Sequence, residues 1–228
     1  MRYAAVQSKM PRWLRRHVLH FEAAIEDAVV KFAATLPEAA LVLDAGAGEG
    51  AYKAYFKKQR YCGIDLAIGD HTWNYSGLDA LGDLTSLPFS NACFDACINI
   101  VTLEHVREPG AVLAELSRIL KPGGRVLMIV PQEWEVHQMP HDYYRYTRYG
   151  MRYLMDKAGL HAIHVYPVGG YFRLISRRLL NGLQFFRGFW VLPAALLLTP
   201  PALVLPFFEF LDHDRNFTLG YICTAVKK

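Results

Sequence analysis

Short apolar runs alternate with helix-like segments along most of the chain. The strand-like runs are residues 42–44, 61–66, 94–101, 126–130, 161–167 and 217–226, with another short element before Gly82. Helical spacing predicts helices over 51–58, 109–120 and 148–158, and nearly 40 residues of helix-like sequence precede the first strand. The continuous apolar run 94–101 predicts a fully buried strand. Thr147 is the predicted N-cap of the helix 148–158.

The turn after the first strand is the most informative segment. Asp44 ends the strand, and three glycines follow at every second position from Gly46. Glycines there permit left-handed backbone angles and a close approach to a ligand, and the predicted helix 51–58 would point its N-terminal amides at the same place. The pattern predicts a nucleotide-cofactor turn, although Gly46, Gly48 and Ala51 also fit the dinucleotide pattern G-x-G-x-x-G/A.

Two later acids extend this prediction. Asp65 ends the second strand about 20 residues past the glycines, where a carboxylate can accept hydrogen bonds from ribose hydroxyls. Asp83 follows the third element in a loop and suits the exocyclic amine of a purine. The turn at 121–125 then leads the chain into another apolar strand.

These motifs, in this order, resemble the class I S-adenosylmethionine-dependent methyltransferases, in particular the broad group that includes the ubiquinone and menaquinone methyltransferases. The resemblance covers residues 40–160 closely and 217–226 more loosely. It implies a single α/β domain over 1–228 with a Rossmann-like, doubly wound, seven-stranded mixed sheet flanked by helices, the last strand antiparallel. The expected parts are an N-terminal helical cap (1–40), a cofactor-binding core (41–170), a hydrophobic insert between strands 6 and 7 (171–216) and the last strand (217–228).

The resemblance also assigns roles by position. Asp44, Gly46 and Gly48 would surround the methionine part and ribose of S-adenosylmethionine, Asp65 with Leu66 would bind the ribose, Asp83 with Leu84 would face the adenine, and Ile100 with Val101 would line the sulfonium and its methyl group. S-adenosylhomocysteine would be the product. The alternatives are that Asp44 only caps the next helix and that Asp83 only caps a turn.

Three residues are candidates for acceptor chemistry, and a general base is needed only if the acceptor loses a proton. His105 follows the fourth strand and is either that base or a structural histidine. His141 and Tyr144, in the run 137–147 after the fifth strand, would overhang the same pocket and bind or deprotonate an acceptor. The alternative is that His141 pairs with Asp142 while the aromatic residues pack a lid. No histidine and cysteine spacing indicates a metal.

Composition adds broad limits. With 53% hydrophobic residues, the 228-residue chain is long enough for one large core. Its net charge, 25 basic minus 21 acidic residues or +4, does not indicate a nucleic-acid partner. Four cysteines without a C-x-x-C pair predict reduced thiols, and the basic N-terminus lacks the apolar run of a signal peptide, which favours a cytoplasmic location.

The insert is the main departure from a minimal methyltransferase. Residues 188–208 are uncharged and long enough to span a membrane. Four prolines are expected to break helical bonding: Pro193, Pro200, Pro201 and Pro206. The last strand must also return to the sheet, and both points argue against a single membrane crossing.

Three interpretations of the insert stay open. It is a buried hairpin that covers the acceptor pocket or forms a homodimer interface, a peripheral anchor at the inner membrane face with nearby arginines toward lipid headgroups, or a re-entrant membrane hairpin. Its apolar surface favours a small or lipid-linked acceptor with an apolar portion. The competing functions are a non-catalytic scaffold that keeps the cofactor fold and a nicotinamide oxidoreductase.

Overall fold

The computed structural model describes residues 11–69 and 72–228, and the first ten residues of the predicted helical cap lie outside them. The described chain divides into two compact units, one made of residues 27–166 with 221–228 and the other of 11–26 with 167–220. The helices are α1 (Arg12–Val18), α2 (His20–Ala34), α3 (Pro109–Ile119), α4 (Arg148–Lys157), α5 (Tyr171–Gly182) and α6 (Val191–Val204). The strands are β1 (Leu41–Ala45), β2 (Arg60–Asp65), β3 (Ala80–Leu81), β4 (Phe94–Ile100), β5 (Leu120–Pro131), β6 (Leu160–Val168) and β7 (Gly220–Lys227).

The sheet has seven strands in the order β3-β2-β1-β4-β5-β7-β6, with the last strand antiparallel, as predicted. Leu43 of β1 pairs in parallel with Cys62 of β2 on one side and with Cys97 of β4 on the other. The carboxyl ends of these three strands therefore meet at one edge of the sheet. The strand order reverses between β1 and β4, and ligands of open α/β sheets bind at such a switch point.

The core lies where apolar strands meet helix α3. Val112, Leu113, Leu116 and Ile119 recur at helical spacing along α3, and all four are fully buried. Each contributes about 1.5–3 kcal/mol by leaving water. Strand β4 is buried along almost its whole length, as its continuous apolar run predicts.

The capped helix is confirmed, and the helix after the glycine turn is not. The Thr147 side chain accepts a hydrogen bond from the Gly150 amide at 3.1 Å, and α4 begins at the next residue. By contrast, the predicted helix 51–58 is wrong, because the segment contains only the 3₁₀ turn Lys53–Tyr55. The left-handed turn runs up to Gly50, and the segment between it and β2 forms that single 3₁₀ turn instead of an α-helix.

The second unit contains α5 and α6 with the chain around them. The Ser176 hydroxyl of α5 donates to the Ala202 carbonyl of α6 at 2.5 Å, and Arg177 forms a buried ion pair with Glu22 at 3.0 Å. Helix α6 continues past Pro200 and Pro201. Each proline lacks an N–H and so removes one helical hydrogen bond, as expected, but neither ends the helix.

Candidate functional site

A cavity of about 560 Å³ lies at the sheet edge where β1, β2 and β4 end. Ten of the twelve predicted site residues line it: Gly46, Gly48, Asp65, Leu66, Asp83, Leu84, Ile100, Val101, His105 and His141. The other two, Asp44 and Tyr144, lie outside its lining. The parallel register of the three strands brings these separate sequence segments together.

The glycine turn is packed closely between Ile64 and Thr102. The amides of Gly46 and Ala47 both donate to the Ile64 carbonyl, at 2.8 and 3.0 Å, and Gly46 has a φ of +86°. A Cβ atom added to Gly46 would lie 2.2 Å from Cγ2 of Thr102. Glycine is therefore required at this position by both backbone angle and space.

Asp65 presents a carboxylate of fixed orientation. Its Oδ2 accepts from the Gly48 amide at 2.9 Å, and its Oδ1 accepts from the Ala67 amide at 2.8 Å. Each oxygen can accept a second hydrogen bond, and the side chain lines the cavity. Asp65 is therefore arranged to receive two hydroxyl donors, as the ribose role requires.

Asp44 is buried behind the turn and is only 1% exposed. Its Oδ2 accepts from the Tyr61 hydroxyl at 2.6 Å, while Oδ1 has no hydrogen-bond partner among residues 11–69 and 72–228. Burial raises the pKa of Asp44 to about 7, against the lowering effect of the Tyr61 hydroxyl. It caps no helix, because the segment 46–59 contains none, and its cofactor role stays a prediction.

Asp83 combines both of its predicted roles in one position. Its Oδ1 accepts from the amide and the hydroxyl of Thr85, both at 2.8 Å, which is a turn cap. The residue also lines the cavity beside Leu84. The turn cap thus fixes the carboxylate at the cavity wall instead of competing with a ligand role.

The acceptor candidates separate into two groups. His105 and His141 line the cavity, with the His105 Nδ1 at 2.5 Å from the His141 carbonyl oxygen. Burial lowers the pKa of His105, which keeps the ring neutral and able to accept a proton. The Tyr144 hydroxyl instead donates to the Arg107 carbonyl at 2.8 Å, and its role stays a prediction.

Asp142 pairs with a different residue from the one expected. Its two oxygens accept from Arg145 at 2.6 and 2.8 Å, and this bidentate pair holds the pKa of Asp142 at about 2. Asp142 also accepts from the His137 amide at 2.8 Å. The alternative pairing of Asp142 with His141 is not formed, because Asp142 is bound by Arg145 and the His137 amide while the His141 Nδ1 lies 3.1 Å from the Tyr143 hydroxyl.

Several residues of the lining were not predicted as site residues. Glu49 belongs to the glycine turn, and Gln138 and Tyr143 belong to the run 137–147, so their segments were predicted to reach the pocket. Four further lining residues lie outside any motif: Tyr52, Trp73, Thr102 and Arg107. They come to the cavity through the packing of the chain.

The charges of the lining favour a cationic ligand. Four acids line the cavity, Glu49, Asp65, Asp83 and Glu108, against the single guanidinium of Arg107. Such a surface suits the sulfonium and ammonium of S-adenosylmethionine. A dinucleotide would bring two phosphate charges, and the α-helix N-terminus that normally receives them is missing from residues 46–59.

Comparison with known families identifies the core. Residues 43–128 match the family described as a methyltransferase domain. That match begins in β1, ends in β5 and contains the glycine turn, Asp65 and Asp83. Residues 43–128 form a class I S-adenosylmethionine-dependent methyltransferase domain.

Relatives of the methyltransferase domain match only parts of their own chains. Malonyl-[acyl-carrier protein] O-methyltransferase of Hahella chejuensis is 33% identical over 96 residues, which cover 38% of this chain and 34% of that protein. The tRNA (carboxymethyluridine(34)-5-O)-methyltransferase alkbh8 of Xenopus tropicalis is 34% identical over 116 residues, which cover 47% of this chain and 17% of that protein. The chain thus spans about a third of the length of the first relative and less than a fifth of the second.

A solved structure agrees in fold over nearly the whole chain. It comes from a complex between the Haloferax volcanii Trm112 methyltransferase activator and a methyltransferase. The TM-score is 0.58 at 21% identity, and the alignment covers 95% of this chain and 98% of that one. This confirms the predicted Rossmann-like methyltransferase fold.

The buried acid of the methyltransferase domain gives a pH-dependent stability. Asp44 has a folded pKa of about 7 against an ordinary value of 3.8, so the folded state binds an extra proton between these values. Stability from this group is full below about pH 4 and is lost as the pH rises through about 7. Replacing Asp44 with asparagine is expected to remove roughly 2–4 kcal/mol of that decline.

Urea unfolding at a series of pH values from 5 to 8 measures the effect. Glu104, whose pKa burial raises to about 8, contributes a similar decline that Asp44→Asn leaves in place. The comparison is therefore between the slopes of wild type and variant. Equal slopes would show that Asp44 is ionised in the folded protein throughout this range.

Proposed function

We propose that this protein transfers the methyl group of S-adenosylmethionine to an oxygen atom of a small or lipid-linked acceptor with an apolar portion. The observation that carries the proposal is the cavity itself, which joins a fixed ribose-binding carboxylate to an apolar wall. Asp65 supplies the first, and the second comes from Leu66, Ile68, Trp73, Ile100, Val101 and Val106. Oxygen is chosen because both relatives carry it in their names as the methylated atom.

The work of the protein is positioning and desolvation. S-adenosylmethionine, when bound, supplies an electrophilic methyl group that needs an unhindered in-line approach by the acceptor. Ile100 and Val101 line the side of the cavity that would exclude water from the reacting atoms. His105 and His141 lie where either ring could take the proton of an acceptor hydroxyl.

Side-by-side calorimetric titration tests the cofactor half of the proposal. The purified chain is titrated with S-adenosylmethionine, S-adenosylhomocysteine and NADH. Micromolar binding of both adenosyl ligands and none of NADH is the expected result. NADH binding without S-adenosylmethionine binding would overturn it.

An acceptor screen with labelled S-adenosylmethionine tests the other half. Lipid-linked hydroxyls and quinone-like phenols are compared with polar soluble metabolites, acyl-carrier protein and tRNA. Methylation confined to the first two classes is expected. Transfer only to polar metabolites or to tRNA would contradict the acceptor proposal, and cofactor binding without transfer to any class would favour a scaffold.

We also propose that the protein is cytoplasmic and lies peripherally on the inner membrane face through residues 188–211. Gly188–Leu211 is long and apolar enough to cross a membrane by length and composition, and most of it is not buried. Its only buried residues are Ala194, Ala202 and Pro206. Large apolar side chains are exposed along it, among them Phe189, Trp190, Leu192, Leu196, Leu197, Phe207 and Phe210.

This exposure favours the peripheral anchor among the interpretations of the insert, because a buried hairpin would hide the apolar side chains that are exposed along this segment. A run of exposed aromatic and aliphatic side chains suits the headgroup boundary. Arg177 does not contribute to headgroup binding, because it is buried against Glu22, whereas Arg187 is exposed.

Liposome sedimentation checks the membrane proposal. Wild type is expected to sediment with vesicles of anionic lipid at low salt, and Leu196→Glu with Leu197→Glu is expected to reduce binding at least tenfold, because two charges would have to enter the apolar boundary. Tyr149→Glu, at an exposed site of the other unit, is the matched control and should bind as wild type does. A protein that stays in the supernatant as a dimer would assign the surface to self-association.

A further inference from the structure

A cluster of three side chains lies beside the cavity and is separate from the cofactor half of the site. Glu104 and His105 are in the 3₁₀ turn Leu103–His105, and His137 comes from the segment after β5. One potential ligand atom of each lies within 4.8 Å of the others. Glu104 is 0% exposed, and neither of its carboxylate oxygens has a hydrogen-bond partner in the described part of the chain.

The two histidines are oriented in the same way. The Nδ1 of His105 lies 2.5 Å from the His141 carbonyl oxygen, and the Nδ1 of His137 lies 3.0 Å from the Glu135 carbonyl oxygen. A carbonyl only accepts, so each Nδ1 carries the proton and each neutral ring leaves Nε2 as a lone-pair donor. These Nε2 atoms lie 3.7 Å (His105) and 3.9 Å (His137) from Oε1 of Glu104.

The result is a buried set of acceptors that face one another. The Nε2 of His105 has no hydrogen-bond partner among the described residues, and the carboxylate beside it has none either. Burial of unpaired acceptors is costly unless a cation lies between them. A proton on Glu104 or a metal ion would satisfy these acceptors, and a metal ion would satisfy all three ligand atoms at once.

Metal-binding histidines characteristically donate their other N–H to a backbone carbonyl, which is what both rings do here. The position of His137 is also fixed by other residues. The Asp142 carboxylate accepts a hydrogen bond from the His137 amide and is itself bound by Arg145. Two imidazole nitrogens with one carboxylate oxygen form a donor set that first-row transition metals prefer. We propose that Glu104, His105 and His137 bind a divalent transition-metal ion of the zinc class.

The two distances from Glu104 to the histidine nitrogens lie near those of such a site, and all three ligand atoms lie within 4.8 Å of one another. Ligand atoms of a tetrahedral zinc site are about 3.3 Å apart, as bond lengths near 2.0–2.1 Å require. The two measured separations therefore need to shorten by roughly half an ångström, which small side-chain rotations supply. Three protein ligands leave a position for a further oxygen.

The metal site would also take part in the proposed methyl transfer, and this part of the inference rests on the proposed function. His105 lines the cavity, so the ion would lie at the edge where the acceptor enters. A hydroxyl bound to the ion would have a lowered pKa and would lose its proton more readily. With His105 as a ligand, His141 on the same wall becomes the proton acceptor.

Metal analysis of the full-length, tag-free protein tests the proposal. After removal of metal with EDTA, the chain is titrated with Zn²⁺, and with Co²⁺ for its visible absorption. One ion per chain is expected, with a cobalt spectrum typical of nitrogen and oxygen ligands in low coordination. Glu104→Gln and His137→Ala are expected to weaken Zn²⁺ binding at least 100-fold, while His164→Ala, an exposed histidine of β6, should leave it unchanged.

S-adenosylmethionine binding is measured on every sample as a control of folding. A wild-type chain that binds S-adenosylmethionine but no stoichiometric Zn²⁺ would overturn the metal site and leave a protonated Glu104 in its place, with the methyltransferase proposal intact. Unchanged Zn²⁺ affinity in both variants would also overturn it. If Glu104→Gln fails to fold, His137→Ala alone decides.

Discussion

Replacing Gly46 with alanine is expected to destabilise the protein by about 2–5 kcal/mol and to abolish measurable S-adenosylmethionine binding. The left-handed φ of +86° costs an alanine about 1–2 kcal/mol. Its Cβ would also overlap Thr102, whose Cγ2, Oγ1 and Cβ lie 2.2, 2.6 and 2.8 Å away. Relief of that overlap must move the turn or the Thr102 segment, and overpacking of this kind typically costs about 1–3 kcal/mol.

Gly50 provides the matched control. It has a similar φ of +74°, but nothing lies within 4 Å of an added Cβ. Gly50→Ala should therefore lose only about 1–2 kcal/mol and retain binding. Thermal unfolding and calorimetry compare the two variants, and Thr102→Ala added to Gly46→Ala should recover part of the loss. Equal stability of Gly46→Ala and Gly50→Ala would mean that the turn adapts without strain.

Replacing Asp65 with alanine is expected to weaken S-adenosylmethionine binding by roughly 2–4 kcal/mol, or about 30- to 1000-fold, through loss of two charge-assisted hydrogen bonds. The carboxylate also holds the Gly48 and Ala67 amides, so part of the loss comes from the turn itself. Calorimetric titration with S-adenosylmethionine and S-adenosylhomocysteine gives the affinities.

Asp79 separates the ligand contribution from the structural one. Its carboxylate also accepts from a backbone amide, that of Gly63 at 2.8 Å, but lies outside the cavity lining. Asp79→Ala should lower the unfolding temperature while the affinity stays within about threefold of wild type. If Asp65→Ala binds as tightly as Asp79→Ala, Asp65 is not part of the cofactor site.

Most of the sheet was predictable because its signals are local. The continuous apolar run of β4, the Thr147 cap and the glycine turn each depend on neighbouring residues, and each has the predicted structure. The helix 51–58 was not predictable in the same way. Its residues have adequate helix propensity, but between the left-handed glycine turn and β2 the chain forms only the 3₁₀ turn Lys53–Tyr55.

Local patterns in the sequence were enough to predict the strands and the glycine turn, because such patterns span few residues. The methyltransferase resemblance added the α/β fold and the sheet edge at which the site lies, where parallel strands bring their carboxyl ends together. The packed structure was needed to show that Asp65 lines the cavity while Asp44, in the same pattern, is buried against Tyr61. It alone brought His137 to Glu104 and His105. Such contacts depend on how distant segments pack, and no local spacing of residues records that geometry.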